Sequence, residues 1–327
     1  MKRRILFAAV GCAMLAAASG AAAQPGGSFP DKPVRVVVPY APGGGIDILI
    51  RAVGKELQAK WGQPVVVDNR AGASGLLGAE TVTHAAPDGY TLLASVDPTF
   101  TSNRYLYKSL PYDPDRSFEP ITMMVRGDNL LLAHPSVPAK DLRELVALAR
   151  SQPKALSFAS YGNGTHPQLV YEYLNKREGI DLLHVPYKGI APAMLATVAK
   201  EVNLGVGSGG VSGEMLRAGR LKALAVAGRN RLPQFPDVPT TAEQGFPYLL
   251  SFIWYGLFAP AGTPRAVVEK IQADVAAVLR DKAFAEAQVL SKGLAVVAST
   301  PAELSAAIRE DSARNAEMIR AAGVQPE

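Results

Sequence analysis

The stretch "VVVPYAPGGGIDILIRAVGKEL", residues 36–57, constrains the fold more than any other part of the chain. A β-branched run meets three glycines and then an apolar-periodic helix. Gly43, Gly44 and Gly45 permit a tight turn and leave the first N–H groups of the helix uncovered by side chains. Unpaired donors, with the positive end of the helix dipole, favour an anion. Asp47 stands where its carboxylate caps free N–H groups. A second reading of the loop is purely geometrical, since many strand-to-helix turns carry glycine for the turn alone. No lysine follows the glycines, so the loop is not a P-loop.

The same rhythm runs through most of the chain. Strands are predicted at Val34–Pro39, Val65–Asp68 and Thr91–Ser95, with helices at Asp47–Trp61 and Gly75–Ala85 between them. After Pro135 the pattern resumes with helices at Leu142–Arg150, Gln168–Lys176, Ala193–Ala199 and Ser212–Ala218. Strands alternate with them at Leu156–Ala159, Leu182–Val185, Val202–Val206 and Leu221–Ala227. Helices Pro264–Leu279 and Pro301–Ala321 end the chain. Short β-branched runs alternating with helical segments indicate βαβ units on largely parallel sheets, an α/β class. Two long apolar stretches, 121–135 and 248–264, each broken by a polar residue or glycine, read as connections running from one sheet into another. Crossings near Val125 and Trp254 then divide the chain into a discontinuous first lobe, 29–125 with 254–327, and a second lobe, 126–253.

Residues 1–23 read as a secretory signal peptide. Lys2, Arg3 and Arg4 precede an apolar run and a small-residue cleavage site at Ala21-Ala22-Ala23. Cys12 raises lipidation as an alternative, but it sits early in the apolar run and after Ala-Val-Gly. Removing the three basic residues from the 34 Lys and Arg leaves 31 against 29 acids. The net charge falls to +2, which offers no basis for a nucleic-acid surface. Cys12 is the single cysteine, so the exported chain has no disulfide and must be held by its core. No later run is apolar for long enough to span a bilayer. A periplasmic location is expected.

Two further glycine loops follow strands and open helices: "DNRAGASGLLGAE" (68–80) and "SYGNGTHPQL" (160–169), where Thr165 is a plausible N-cap. In open parallel sheets, ligands sit beyond the carboxyl ends of strands, and these loops lie there. Helix starts in both halves point to a cleft between them. "GVGSGG" (205–210) matches the dinucleotide fingerprint, but the next strand ends in Gly228-Arg229-Asn230 with no acid for a ribose. Neither a G-x-S-x-G elbow nor an H-E-x-x-H pair is present. No cofactor, metal or catalytic residue is expected. A catalytic triad has no support in the residue pattern, and His166 is the one histidine placed at a candidate ligand loop.

The block "PYAPGGGIDILIRAVGKELQAKWGQPVVVDNRAGASGLLGAETVTHAAPDGYTLL" resembles the N-terminal signature of Bug-type solute-binding receptors, the extracytoplasmic components of tripartite tricarboxylate transporters. The likeness continues through "LYKSLPYDPDRSFEPIT", "HVPYKGIAPAM", "RAGRLKALAV", "FPDVPTTAEQGFP" and "WYGLFAPAGTP", and so covers the mature chain in order. It implies a two-lobe Venus-flytrap fold that closes on a small carboxylate, such as a di- or tricarboxylate or an acidic amino acid, and membrane permease subunits as partners of a monomer. The family's first-lobe loop maps onto Tyr40, Pro42, Gly43, Gly44, Gly45 and Asp47. Its second glycine loop maps onto Gly72, Ala73, Ser74 and Gly75. The second-lobe loop maps onto Tyr161, Gly162, Thr165 and His166, while Ser95, Asp97 and Thr99 follow the strand at 91–95. Three departures stand out. Phe100 occupies a histidine place, Pro167 follows His166, and Gly207-Ser208 replaces an Asp-Asn pair. That last change argues against an amino-acid ligand unless Asp97 replaces the lost carboxylate. Asp97 is also a good turn former before Pro98. Trp254 and Tyr255 belong to the hinge, the cleft or the core, and Lys188 to the cleft entrance or to solvent. A receptor for a sensor kinase and an exported enzyme on the same scaffold are the competing readings.

Overall fold

The computed structural model describes residues 29–72, 75–162, 164–187 and 189–326. Residues 1–23, expected to form a signal peptide, with Cys12 among them, and Ala73, Ser74 and Lys188 lie outside them. The first half of the chain contributes β1 (Val34–Val38), α1 (Gly45–Trp61), β2 (Val65–Asn69), α2 (Leu76–Thr83), β3 (Thr91–Val96) and α3 (Asn103–Leu106). The long strand β4 (Phe118–Ala133) comes next, then α4 (Leu142–Ser151), β5 (Ser157–Ser160), α5 (His166–Glu178) and β6 (Leu183–Pro186). The series α6 (Ile190–Val198), β7 (Leu204–Ser208), α7 (Gly209–Arg217) and β8 (Lys222–Val226) follows. The end of the chain supplies β9 (Phe252–Pro260), α8 (Arg265–Arg280), α9 (Lys282–Gln288), β10 (Ala295–Val296) and α10 (Pro301–Ala322).

Parallel pairs form the wings: β1 with β2 and β3 on one side, and β5 with β6 and β7 on the other. The two long apolar stretches supply an antiparallel centre. β9 pairs with β3, and β4 pairs with β9 from Phe118 to Asp128. From Asn129 to Ala133, β4 changes partners and runs between β7 and β8. One strand therefore belongs to both wings, with the exchange at Asp128/Asn129. Ser251, just before β9, is tied to both sides of that exchange, because the Asn129 amide donates to its carbonyl and its own amide donates to Ala227 O.

Each wing has its own core. Phe100, Phe118, Trp254 and Phe258 form an aromatic cluster, with the Phe100 and Phe258 rings stacked 3.8 Å apart. The second core gathers Leu131, Phe158, Tyr171 and Leu174 beneath β5 and β7. α10 joins the two. Its start is fixed by a Thr300–Glu303 capping box with Pro301 at the first helical position. Leu304 and Ile308 then pack in the aromatic cluster, and Met318 and Ile319 in the second core. Among the described residues no helix is long and apolar enough to cross a membrane.

Candidate functional site

α1 begins with little side-chain cover. Gly43 takes φ +86°, which favours glycine, and Gly44 is an N-cap without a side-chain cap. Asp47 folds back on the loop: Oδ2 accepts from the Gly43 amide at 2.8 Å, and Oδ1 accepts from Arg51 and Asn69 at 3.0 Å each. Burial opposes its charge, but the hydrogen bonds from Arg51, the Gly43 amide and Asn69 outweigh that and hold the carboxyl below its ordinary range. With both oxygens engaged inside the loop, Asp47 shapes the turn and offers no free group to a ligand.

A cavity of about 560 Å³ opens at the starts of four helices. Gly45, Ile48 and Leu49 come from α1, Tyr161 and His166 from the approach to α5, and Ile190 from α6. Ser208, Gly210 and Val211 come from the end of β7 and the first turn of α7. Asn129 at the exchange point of β4 also faces it, with Ile253 and Tyr255 of β9. The rest of the wall is Gln288, Ser291, Lys292 and Leu294, between α9 and β10. Two larger depressions, of about 710 and 730 Å³, lie away from these helix starts.

Close main-chain packing defines two edges of the cavity. A Cβ at Gly45 would collide with the Tyr255 hydroxyl, and one at Gly210 with the Lys292 carbonyl. Tyr255 stays protonated, because burial, with Asp97 nearby, pushes its pKa up to about 12. It therefore presents a neutral hydroxyl at the start of α1. Tyr161 donates its hydroxyl to Val206 O, and burial raises its pKa as well. Ser208 Oγ accepts from the Val211 amide at 3.4 Å, and Asn129 Nδ2 donates to Ser251 Oγ at 2.9 Å.

Behind the wall, His166 Nε2 meets Asp97 Oδ2 at 2.9 Å, joining the start of α5 to the end of β3. The imidazole is 19% exposed and Asp97 only 3%. Burial disfavours the imidazolium, but the charge and hydrogen bond of Asp97 outweigh it and raise the His166 pKa. A proton held more tightly in the folded state stabilises the fold fully below pH 6.5, the ordinary value. That contribution is lost as pH rises through the folded-state value. The stability difference between wild type and His166→Asn is therefore expected to be largest below pH 6.5 and to shrink as pH rises above it. Urea unfolding at a series of pH values checks it; a pH-independent difference would remove the charged pair from the account. Comparing the two proteins cancels His184, whose pKa burial lowers.

Of the residues expected from sequence, Gly45, Tyr161, His166 and Ser208 line this cavity. Asp97 lies one layer behind, through His166. Ser95 Oγ and Thr99 Oγ1 are 2.7 Å apart and buried, and Tyr40 Oη approaches Thr99 at 3.4 Å, so these three brace the loop after β3. Pro42, Gly43 and Gly44 are exposed on the first glycine loop and Gly72 on the second, while Gly75 packs beneath Tyr40. Gly162 and Thr165 bond to each other, the Thr165 hydroxyl donating to Gly162 O at 2.7 Å. Gly207 is buried in β7 against Ser212 and Leu132, so it belongs to the packing behind the wall. Phe100 and Trp254 are core, and Tyr255 is the cleft residue of the Trp-Tyr pair. Sequence reasoning missed Ile48, Ile190, Val211, Asn129 and the whole 288–294 segment. Asn129 had a signal, as the polar break in an apolar strand.

Residues 49–324 match the sequence profile of the tripartite tricarboxylate transporter family receptor. The protein BugT of Bordetella pertussis is 32% identical over 98% of both chains. An R. palustris protein solved with adipate is 30% identical with TM-score 0.78, covering 91% of this chain and 100% of that one. MatC of Rhodopseudomonas palustris, solved with malate, is 34% identical with TM-score 0.74, covering 89% and 100%. The periplasmic binding protein BugD is likewise 34% identical with TM-score 0.75, covering 91% and 100%, and the matched family is one of receptors, not of enzymes. The helix starts around one cavity, the strand shared by two wings and the matched length agree: this chain belongs to the tripartite tricarboxylate transporter receptor family, the Bug-type solute-binding proteins.

Proposed function

We propose that the chain captures a small carboxylate in the cavity beside His166 and Tyr255 and delivers it to the membrane subunits of a tripartite transporter. One observation carries this reading: a cavity built from helix starts on both wings, with a paired histidine, Lys292 and a neutral tyrosine hydroxyl, and no acid among the described residues that line it. Charge-assisted contacts of this kind contribute about 1.5–3 kcal/mol each. The adipate and malate complexes of two relatives support a carboxylate. The moving lobes are the two wings, which part at Asp128/Asn129 of β4 and at Ser251 before β9, with α10 packed in both cores limiting the swing. The chain acts in the periplasm as a monomer after loss of residues 1–23.

Asp97 is engaged by His166 and by the Trp254 amide, which donates to Oδ1 at 3.4 Å, so it offers no free carboxylate to an ammonium group. Acidic amino acids should therefore bind worse than simple carboxylates. The purified protein, screened by thermal shift, should be stabilised by about 4 kcal/mol at a carboxylate concentration a thousandfold above Kd. The bound acid should be recovered unchanged. A flat response to every carboxylate, or conversion of the acid, would reject the reading.

A further inference from the structure

Resting on the carboxylate reading above, we infer that the ligand is a monocarboxylate with an apolar body, rather than a di- or tricarboxylate. The cavity wall keeps large apolar side chains open to solvent: Ile48 is 46% exposed, Val211 43% and Ile190 37%. Ile253 and Leu294 line the same space. Aliphatic side chains held accessible in a concave site are covered favourably only by an apolar partner.

The charges are as restrictive as the shape. Among the described residues no acid lines the cavity, and the two described lining residues that carry a cationic side chain, His166 and Lys292, differ in availability. The positive charge of His166 is balanced by Asp97 at 2.9 Å. Among the described residues, Lys292 is the one lining cation with no acidic partner. One unmatched positive charge suits one carboxylate. A second carboxylate would face Ile48, Ile190 and Val211 with no counter-charge, and removing it from water there is unfavourable. A methyl or aryl terminus carries no such penalty and covers the exposed side chains.

Hexanoate and adipate separate the two cases, because they share a six-carbon chain and differ at one end. Calorimetric titration of the mature protein should show hexanoate binding at least tenfold tighter than adipate. Benzoate should likewise outbind malate and citrate. Val211→Lys, which places a cation on the apolar wall, should narrow or reverse the hexanoate preference, with circular dichroism confirming an unchanged fold. A wild-type protein that binds any di- or tricarboxylate as tightly as the monocarboxylates overturns this inference but leaves a carboxylate receptor standing. Binding of neither class overturns both. An unchanged preference in folded Val211→Lys would remove that wall from the account of selectivity and overturn the inference.

Discussion

Gly210→Ala will weaken carboxylate binding about tenfold to a hundredfold while leaving the protein folded. The Lys292 carbonyl occupies the place where a Cβ on Gly210 would sit, and its carbonyl carbon lies 2.7 Å from that point. Main-chain atoms cannot swing aside as a side-chain tip does, so the first turn of α7 and the Lys292–Gly293 turn must separate. They belong to opposite wings, and their approach narrows the cavity. Overpacking of this sort costs about 1–3 kcal/mol. Where the wings are free to part, that cost falls on the closed arrangement alone. At about 1.4 kcal/mol per factor of ten, it appears as lost affinity. Alanine is a better helix former than glycine by about 1 kcal/mol, so a weakened α7 would not explain the loss. Titration of the variant against its best carboxylate reads the effect, and unchanged affinity would show that the Gly210–Lys292 approach is irrelevant to binding.

Trp254→Ala will have the largest effect on stability, about 3–5 kcal/mol. Trp254 is fully buried, with its ring 6.3 Å from Phe100 and 6.4 Å from Phe258. Its Nε1 donates to Asp311 at 2.8 Å. Removal leaves a cavity in the first core and takes a donor from a carboxyl whose pKa burial already raises. Trp254→Phe keeps most of the packing and loses the donor, so about 1–3 kcal/mol is expected there. Urea denaturation of the two variants separates packing from hydrogen bonding. A loss below about 1 kcal/mol for alanine would mean that the core collapses around the gap.

The two wings were legible in the sequence because β-branched runs and helix-period runs carry their own local signals. The long stretches 121–135 and 248–264 read as connections from one sheet into another; they are strands, and β4 does run from one wing into the other. The polar break Arg126-Gly127-Asp128-Asn129 falls where β4 exchanges partners, but local pattern does not encode which strands it pairs with on either side. The glycine loops led to Gly45, Tyr161 and His166 because a helix start has a recognisable sequence, and the family resemblance led to Ser208. Asp47 caps its own loop, as its first-turn position suggested, while Gly207, placed only through the family resemblance, packs in β7. A carboxylate in a first turn looks the same whether it faces a ligand or caps its own loop. A glycine beside a loop looks the same whether it faces the cavity or packs behind it. The 288–294 segment was invisible for a different reason: α9 and β10 are short, and their place beside α7 is set by tertiary packing. The apolar wall of Ile48, Ile190 and Val211 is assembled from three separate helices, so no single window of sequence shows it.

The most direct measurement is a crystal structure of the mature protein with the tightest-binding acid from the screen. The carboxylate is expected in the cavity within hydrogen-bonding reach of the α1 start, the Tyr255 hydroxyl, His166 or Lys292, with its carbon body against Ile190 and Val211. An acid bound instead in the depression beside Arg126 and Arg229, or anywhere outside the wall shared by the two wings, would contradict the account.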